Sequence, residues 1–223
     1  MNFQRIRQDF SVLVTKISQN FRFANRVLNS KHFRIYFGMR KLTHSEIASN
    51  RVNPEHPELH QRMPIYALLD SIRSLYNVGS IFRSSDGARI NKLYLTGFTP
   101  HPPRKEIDKT ALGATQTVPW SYHKDPLEAI AEMKSNGIRI CAVELTDSSK
   151  PYFEVAPADF PLCLVVGNEI TGISKPILDA ADFSIEIPMI GHKQSLNVAV
   201  AYGIVLYDLL RVCFQSDIRP SQV

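Results

Sequence analysis

Small and polar residues that could bind a ligand follow short apolar runs at three places in the chain. The three segments are residues 77–83, 166–172 and 187–198. In open α/β sheets, ligands bind outside the carboxyl ends of the strands, where the chain turns into a loop. If the apolar runs are strands of one parallel sheet, the three segments meet at the same edge. The pattern therefore predicts a single site built from distant parts of the sequence.

Gly167 is the candidate for a close approach between backbone and ligand. It follows the apolar run 162–166, and a residue without a side chain leaves room for a ligand and adopts unusual dihedral angles. Glycine followed by asparagine is also common where a strand simply turns into a loop. Both interpretations of this segment stay open.

The third segment is expected to lead into a helix. Pro188 ends a strand because proline cannot donate to the ladder, and Ser195 is placed to cap the helix that opens at Leu196. The free amides of a helix start favour a negatively charged group. A plain strand–loop–helix connection would give the same pattern.

Arg83 is the candidate cation of the first segment. Its planar guanidinium suits two oxygens of a phosphate. Gly79 lies one helical turn earlier and is expected to leave open space beside it. A surface arginine that is only solvated is the alternative.

Motifs for other chemistries do not occur in the sequence. It has no Gly-x-Gly-x-x-Gly after a strand, no Gly-Lys-Ser/Thr phosphate loop and no Gly-x-Ser-x-Gly elbow. His56 and His60 have metal-like spacing, but prolines flank them and paired cysteines are missing, so no metal is expected. Cys141, Cys163 and Cys213 are expected to be buried free thiols.

The positive charge is concentrated at the N-terminus. Residues 1–40 hold eight Lys or Arg against the single acid Asp9, a balance of +7, so the rest of the chain carries −2 of the total of +5. A basic arm suits RNA, a mitochondrial transit peptide or an anionic surface, and Met39 would also serve as a start. These alternatives stay open. No apolar run approaches the roughly 20 residues that span a bilayer, so no membrane association is expected.

Strand and helix patterns alternate from Ile65 onward. The predicted strands are 65–69, 92–95, 138–143, 162–166 and 183–187, and the predicted helices are 77–89, 126–135, 174–180 and 196–214. This alternation predicts an α/β fold with a mostly parallel sheet and helices on both faces. Residues 97–119 are expected to form a long irregular segment of functional importance. We divide the chain into a basic arm (1–40), a connecting segment (41–64), a main domain (65–215) and a tail (216–223).

The three segments, in this order, resemble those of the SpoU/TrmH-type RNA ribose 2′-O-methyltransferases of the SPOUT superfamily. The likeness covers about residues 40–214, and three ordered motifs together are specific where one alone is not. It implies a deep C-terminal trefoil knot, a rare exception to the rule against threaded chains. It also implies that S-adenosyl-L-methionine is bound. The implied cofactor residues are Gly167, Ile187, Ser195, Leu196 and, nearby, Leu145. The implied catalytic residues are Arg83, Asn77, Glu169 and Asn197.

The activity implied by the resemblance is methylation of a ribose 2′-hydroxyl in ribosomal or transfer RNA, carried out by a homodimer. Arg83 would hold a phosphate and stabilise developing alkoxide, because an arginine with a pKa above ~12 is a poor base. The alternatives are methylation of a base nitrogen by a member of the same superfamily, and a non-catalytic RNA-binding assembly factor. We expect a cytoplasmic protein, or an organellar one if the arm is a transit peptide.

Overall fold

The computed structural model describes residues 40–49, 62–216 and 218, so the basic arm and most of the connecting segment lie outside the described residues. The chain forms two units, residues 1–54 and 55–223. In the first unit, helix α1 (His44–Ser49) begins with a capping box. The hydroxyl of Thr43 accepts from the backbone N–H of Glu46, and the Glu46 carboxylate accepts from the N–H of Thr43 at 2.8 Å. This helix was not predicted.

The described part of the second unit is built on a seven-stranded sheet in which every pair of neighbouring strands is parallel. The spatial order is β3-β2-β1-β6-β4-β7-β5. The strands are β1 (Met63–Asp70), β2 (Ile90–Thr96), β3 (Trp120–His123), β4 (Arg139–Val143), β5 (Lys150–Pro151), β6 (Leu162–Val166) and β7 (Phe183–Glu186). The predicted α/β class is confirmed.

Helices cover both faces of the sheet. They are α2 (Leu75–Ala88), α3 (Lys105–Ala111), α4 (Ala114–Thr117), α5 (Pro126–Ser135), α6 (Lys175–Ala180) and α7 (Val198–Gln215). In β1, Ala67 and Leu69 belong to the core shared with α2 and α7, and Leu68 belongs to the core shared with α5 and α6. Successive side chains of a strand point to opposite faces, so the sheet separates two hydrophobic cores.

The strand order reverses between β1 and β6, near the middle of the sheet. From β1 the chain runs outward through β2 to β3, and then returns to form β4 on the other side. Strand β6 is inserted between β1 and β4, where all five of its residues are buried. Such a switch point is where loops diverge and leave a crevice at the carboxyl ends of the strands. The first two predicted segments leave the sheet from β1 and β6, directly at this crevice.

The predicted irregular segment 97–119 contains regular structure. Helices α3 and α4 occupy much of it, and β3 follows at the edge of the sheet. Helix α3 buries only Ile107 and Ala111, one turn apart, which is too short a pattern to show helical periodicity. The predicted connecting segment is also too long by two residues, because β1 begins at Met63 and includes Pro64. A proline is tolerated near the start of a strand.

Helix α7 is long and apolar because one of its faces is core. Its mean hydropathy of 1.5 over 18 residues would by itself suit a membrane span. In the structure, however, Tyr202, Val205, Leu206 and Leu209 are fully buried against the sheet and α2. The three cysteines are also buried and free, as predicted, and burial raises the pKa of the Cys213 thiol to about 11.

Candidate functional site

A chain of hydrogen bonds joins the three predicted segments. Asn77 donates its Nδ2–H to Oε1 of Glu169 at 3.0 Å, and its Oδ1 accepts from Nδ2 of Asn197 at 3.1 Å. Asn77 lies in the first turn of α2, Glu169 lies in the loop after β6, and Asn197 stands before α7. The structure therefore brings the three distant segments together, and three of the four residues predicted as catalytic are in contact.

The Glu169 carboxylate has three donors, which fix its position and its charge. The backbone N–H groups of Arg73 and Ser74 lie 2.9 and 3.0 Å from its oxygens, in addition to the Asn77 side chain. Burial opposes ionisation, but the hydrogen bonds from Arg73 and Asn77 outweigh it, and the pKa of Glu169 falls below its usual range. A carboxylate that is held in this way is a weak base and a good positioning group.

The loop after β6 is fastened by its own backbone and by neighbouring carboxylates. Asn168 exchanges backbone hydrogen bonds with Gly172, at 3.1 and 2.9 Å, and its side chain donates to the carbonyl of Ser71 at 2.8 Å. Glu144 accepts from the N–H of Ile173 at 3.0 Å. The loop is therefore rigid before any ligand arrives.

Ser174, the first residue of the predicted helix 174–180, stands directly before α6 as its N-cap residue. Its side chain makes no cap hydrogen bond. Its backbone N–H donates to Oδ2 of Asp70 at 2.9 Å instead, which ties the end of the loop to the end of β1.

The space beside Gly167 is filled by this loop and not by a ligand. A Cβ atom at this position would collide with the backbone of Gly172 and Ile173. The prediction that Gly167 leaves room for a ligand is therefore wrong in its physical reason, because the space is filled by the returning chain. The residue still lies at the end of β6, beside the hydrogen-bonded chain.

The cap of α7 is Asn197, two residues after the predicted Ser195. Its Oδ1 accepts from the backbone N–H groups of Ala199 at 3.0 Å and Val200 at 3.4 Å. Asparagine is among the best N-cap residues, so the helix begins at Val198. Asn197 thus caps a helix with its oxygen and holds Asn77 with its nitrogen.

Arg83 lies apart from this network. It is six residues beyond Asn77 in α2, about 9 Å along the helix axis. The side chain is exposed and makes no hydrogen bond or ion pair within the described residues. Gly79 was predicted to leave open space beside Arg83. This prediction is wrong, because a Cβ at Gly79 would collide with Thr110 and with the carbonyl of Ile107. That glycine lets α3 pack closely on α2.

The predicted cofactor residues lie at the carboxyl ends of three neighbouring strands. Gly167 follows β6, Leu145 follows β4 and Ile187 follows β7, and these strands are adjacent in the sheet. Ser195 and Leu196 belong to the segment 187–197, which is neither helix nor strand. The predicted strands 162–166, 138–143 and 183–187 are present, and Gly167, Leu145 and Ile187 follow them at one edge of the sheet; the role of the group in cofactor binding stays a prediction.

Two apolar residues of this edge were missed. Ile190 is 100% exposed, Met189 and Leu196 are also exposed, and Leu145, which follows the neighbouring strand β4, is 70% exposed. Unpartnered apolar side chains next to a stretch without regular structure suit a flat heterocycle that needs both apolar contacts and backbone hydrogen bonds. The residues present therefore fit an adenosyl group.

Two adjoining cavities lie on the other side of the crevice. A cavity of about 370 Å³ is lined by Arg73, Ser74, Asn77 and Glu169. A larger one of about 450 Å³ shares Arg73 and extends over the loop after β2. Arg73 was not predicted, although it lies only four residues before the first segment. His56 and His60 lie outside the described residues, and the described residues contain no group that could hold a metal ion.

The comparisons with known proteins agree with this geometry. The family described as "SpoU rRNA Methylase family" matches residues 64–207. A "Putative TrmH family tRNA/rRNA methyltransferase" of Staphylococcus haemolyticus is 33% identical over 144 residues, which are 65% of this chain and 57% of the relative. The matched region thus spans little more than half of that relative's length.

Solved structures share the fold. The A. aeolicus "TrmH/SpoU tRNA modifying enzyme" is 32% identical with a TM-score of 0.67, over 75% of this chain and 86% of the other. An "AdoMet bound rRNA methyltransferase" from Sinorhizobium meliloti is 27% identical with a TM-score of 0.62, over 72% and 61% of the two chains. With the family match covering 144 residues and the three segments joined at one edge of the sheet, the chain belongs to the SpoU rRNA methylase family.

Proposed function

We propose that the protein transfers a methyl group from S-adenosyl-L-methionine to a ribose 2′-hydroxyl of RNA. The observation that carries the proposal is the chain Glu169–Asn77–Asn197, which links the ends of β1 and β6 and the start of α7. Asn77 and Glu169 line the smaller cavity, and Asn197 ends the segment that carries the exposed apolar residues after β7. The relatives named as tRNA/rRNA methyltransferases, and the one bound to AdoMet, support this assignment.

The cofactor edge consists of Leu145, Gly167, Ile187, Ser195 and Leu196. When bound, S-adenosylmethionine supplies a methyl group on a sulfonium, which is electrophilic without help from a metal. The backbone of 187–197 would read the adenine, and Leu145 and Leu196 would cover its faces. The rigid loop around Gly167 forms the base of the cofactor site.

Glu169, Asn77 and Asn197 act as positioning residues in this proposal. The carboxylate has a lowered pKa and its oxygens are engaged by three donors, so it does not remove the proton of the 2′-hydroxyl. It holds the start of α2 in place, and the hydrogen bond between Asn77 and Asn197 connects the start of α7 to it. Effective orientation of reacting groups is a large part of enzymatic rate enhancement.

Arg83 acts on the substrate in this proposal, and a second copy of the chain brings it there. The exposed residues Val200, Ile204, Tyr207 and Phe214 form an apolar stripe along α7 at helical spacing. Gly87, one turn beyond Arg83, faces the hydroxyl of Tyr207, so Arg83 lies beside this stripe. A homodimer that covers the stripe would carry Arg83 towards the partner's site, where it binds phosphate and stabilises the alkoxide.

The path of the C-terminal segment supports a trefoil knot as part of the proposal. Strand β7 lies beyond β4 and β6 in the sheet, whereas Asn197 contacts Asn77 after β1, so the chain between them returns past β4 and β6 before α7 packs on α2 and the sheet. Such a return, around an inserted β6, is the arrangement that a threaded chain requires. An experimental structure traced through 144–198 tests it: a path that pulls straight when its ends are drawn apart would contradict the knot.

The proposed reaction is tested by alkaline hydrolysis of RNA methylated with labelled S-adenosylmethionine. Alkali cleaves RNA through the free 2′-hydroxyl, so a 2′-O-methyl group protects the adjacent linkage. We expect the label in alkali-resistant dinucleotides. Label in mononucleotides would indicate a methylated base, and cofactor binding without any transfer would indicate a non-catalytic RNA-binding factor.

A further inference from the structure

The larger cavity combines exposed aromatic rings with unpaired cations. It measures about 450 Å³, which is within the range of ligand sites. The side chains in its lining that could contact a ligand are those of Arg73, Arg104, Phe98, His101 and Tyr122. The side chains of both arginines are exposed, and neither makes a hydrogen bond or ion pair within the described residues. No acidic side chain lines the cavity. The surface therefore attracts an anion that also carries a flat ring.

The aromatic rings are held in place before any ligand binds. The hydroxyl of Tyr122 donates to the carbonyl of Gly97 at 2.7 Å, and the ring of His101 lies 5.0 Å from that of Tyr122, centre to centre. His101 is fixed by a 2.9 Å hydrogen bond from its Nδ1 to the carbonyl of Pro102, so Nδ1 carries the proton. A ring that is already oriented loses little freedom when a base stacks on it.

The loop that carries Phe98 is anchored to the core on both sides. The buried hydroxyl of Thr99 donates to the carbonyl of Leu69 and accepts from the N–H of Ile72, both at 3.0 Å. Gly97 has a φ of +61°, and a Cβ there would collide with the Ser71 side chain. This rigid loop nevertheless leaves the ring of Phe98 64% exposed. Phe98 joins His101 and Tyr122 in one group of exposed rings, and grouped exposed apolar surface marks a binding site where a single exposed residue does not.

The position of the cavity relates it to the proposed reaction. It lies over the ends of β1, β2 and β3, whereas the cofactor edge lies over β6, β4 and β7. Arg73 lines both this cavity and the smaller one, and its backbone N–H holds Glu169. A nucleotide in the larger cavity would thus place its sugar–phosphate chain at the switch point, between the two halves of the edge.

We propose that this cavity binds a nucleobase of single-stranded RNA, stacked on Phe98, His101 and Tyr122, with its phosphates on Arg73 and Arg104. Sequence-tolerant recognition of unpaired RNA depends on such aromatic stacking and on arginine contacts to the backbone. This assignment names how the substrate is held, and it rests on the proposed function for its biological meaning.

The test is the affinity of the full-length protein for a short single-stranded oligoribonucleotide, compared with an abasic oligonucleotide of equal phosphate number. Both are measured by anisotropy at the same salt concentration, so that the phosphate contribution cancels. We expect the abasic probe to bind at least ~10-fold more weakly, as the loss of a base–aromatic stack requires. Because Trp120 is the single tryptophan and stacks on His101 at 6.0 Å, binding of the base-containing probe should also change its fluorescence.

The matched variants are Phe98→Ala and Phe153→Ala. Phe153 is also an exposed phenylalanine, 52% exposed, but it follows β5 at the opposite edge of the sheet. Phe98→Ala should lose the preference for the base-containing probe, and Phe98→Tyr should restore it. Phe153→Ala should bind like the unchanged protein. Arg104→Ala should reduce the salt dependence by about one phosphate contact.

Two outcomes would overturn the assignment: equal binding of both probes, or equal behaviour of Phe98→Ala and Phe153→Ala. The proposed function fails separately. A protein that binds bases through Phe98 but transfers no methyl group keeps the cavity assignment and loses the reaction. A protein that methylates RNA with unchanged KM in Phe98→Ala keeps the reaction and loses the cavity.

Discussion

The two kinds of predicted site residue differ in how much the fold has already done for them. Glu169, Asn77 and Asn197 hold one another at 3.0–3.1 Å and have their other polar atoms engaged by backbone groups. The side chain of Arg83 and residues 188–196 are exposed and make no hydrogen bond within the described residues. The first group is already held in place by hydrogen bonds, and the second presents exposed surface to ligands. The comparison indicates that the fold positions the first group, and in the proposed function the exposed surface is completed by cofactor, RNA and a second chain.

The largest expected effect is the loss of methylation rate on changing Arg83, which belongs to the exposed group. Arg83→Ala should lower single-turnover methylation by roughly 10²–10³-fold, the usual effect of removing a group that stabilises developing charge. The melting temperature should not change, because Arg83 makes no contact within the described residues that folding would lose. Arg83→Lys keeps the charge without the planar fork and should recover only part of the rate. Activity within a few-fold of the unchanged protein would exclude the proposed role.

Gly167→Ala should produce the largest loss of stability. The added methyl group meets the backbone of Gly172 and Ile173, and overpacking of this kind costs roughly 1–3 kcal/mol. Thermal melting measures it, with Gly191→Ala as the control because nothing lies within 4 Å of a Cβ at Gly191. Equal melting temperatures for the two variants would show that the loop around Gly167 is not rigid.

These glycines show where prediction from sequence stops. The strand ends at 166 and 143 and the helix Pro126–Ser135 were predicted correctly, because apolar runs and caps are local signals. The fold class and the meeting of three segments followed from them. The neighbours of Gly79 and Gly167 come from α3 and from the returning loop, so their true constraint is tertiary. Strand β5 has only two residues and gives no pattern at all.

Asn197 allows the cap to be separated from the link to Asn77. Asn197→Ala should lose about 1 kcal/mol of stability, the usual value of an N-cap, and at least ~10-fold in methylation rate. Asn197→Asp keeps the oxygen that caps α7 but removes the nitrogen that donates to Asn77. It should melt like the unchanged protein and remain slow. Full activity in the aspartate variant would mean that the link has no function.

Glu169→Gln should have the smallest effect on stability, less than ~1 kcal/mol, because the carboxylate is exposed and screened. Its pKa is lowered by the fold, so its contribution is present above the unfolded value of about 4.5 and is lost as the pH falls through the folded value. The difference in stability between the two proteins should therefore vanish in acid. Near neutral pH the two rate profiles should have the same slope, because Glu169 does not titrate there. An acidic limb that disappears in the glutamine variant would identify Glu169 as the general base.

The most direct test of the account is to mix two impaired variants, Arg83→Ala and Asn197→Ala. When equal amounts of the two variants pair at random, half of the pairs are mixed. If Arg83 acts in the site of the partner chain, each mixed pair has one intact site. Methylation should then rise to about a quarter of that of the unchanged protein. If Arg83 acts within its own chain, every site stays defective. A mixture that forms mixed pairs and remains at the average of the two variants would contradict the account.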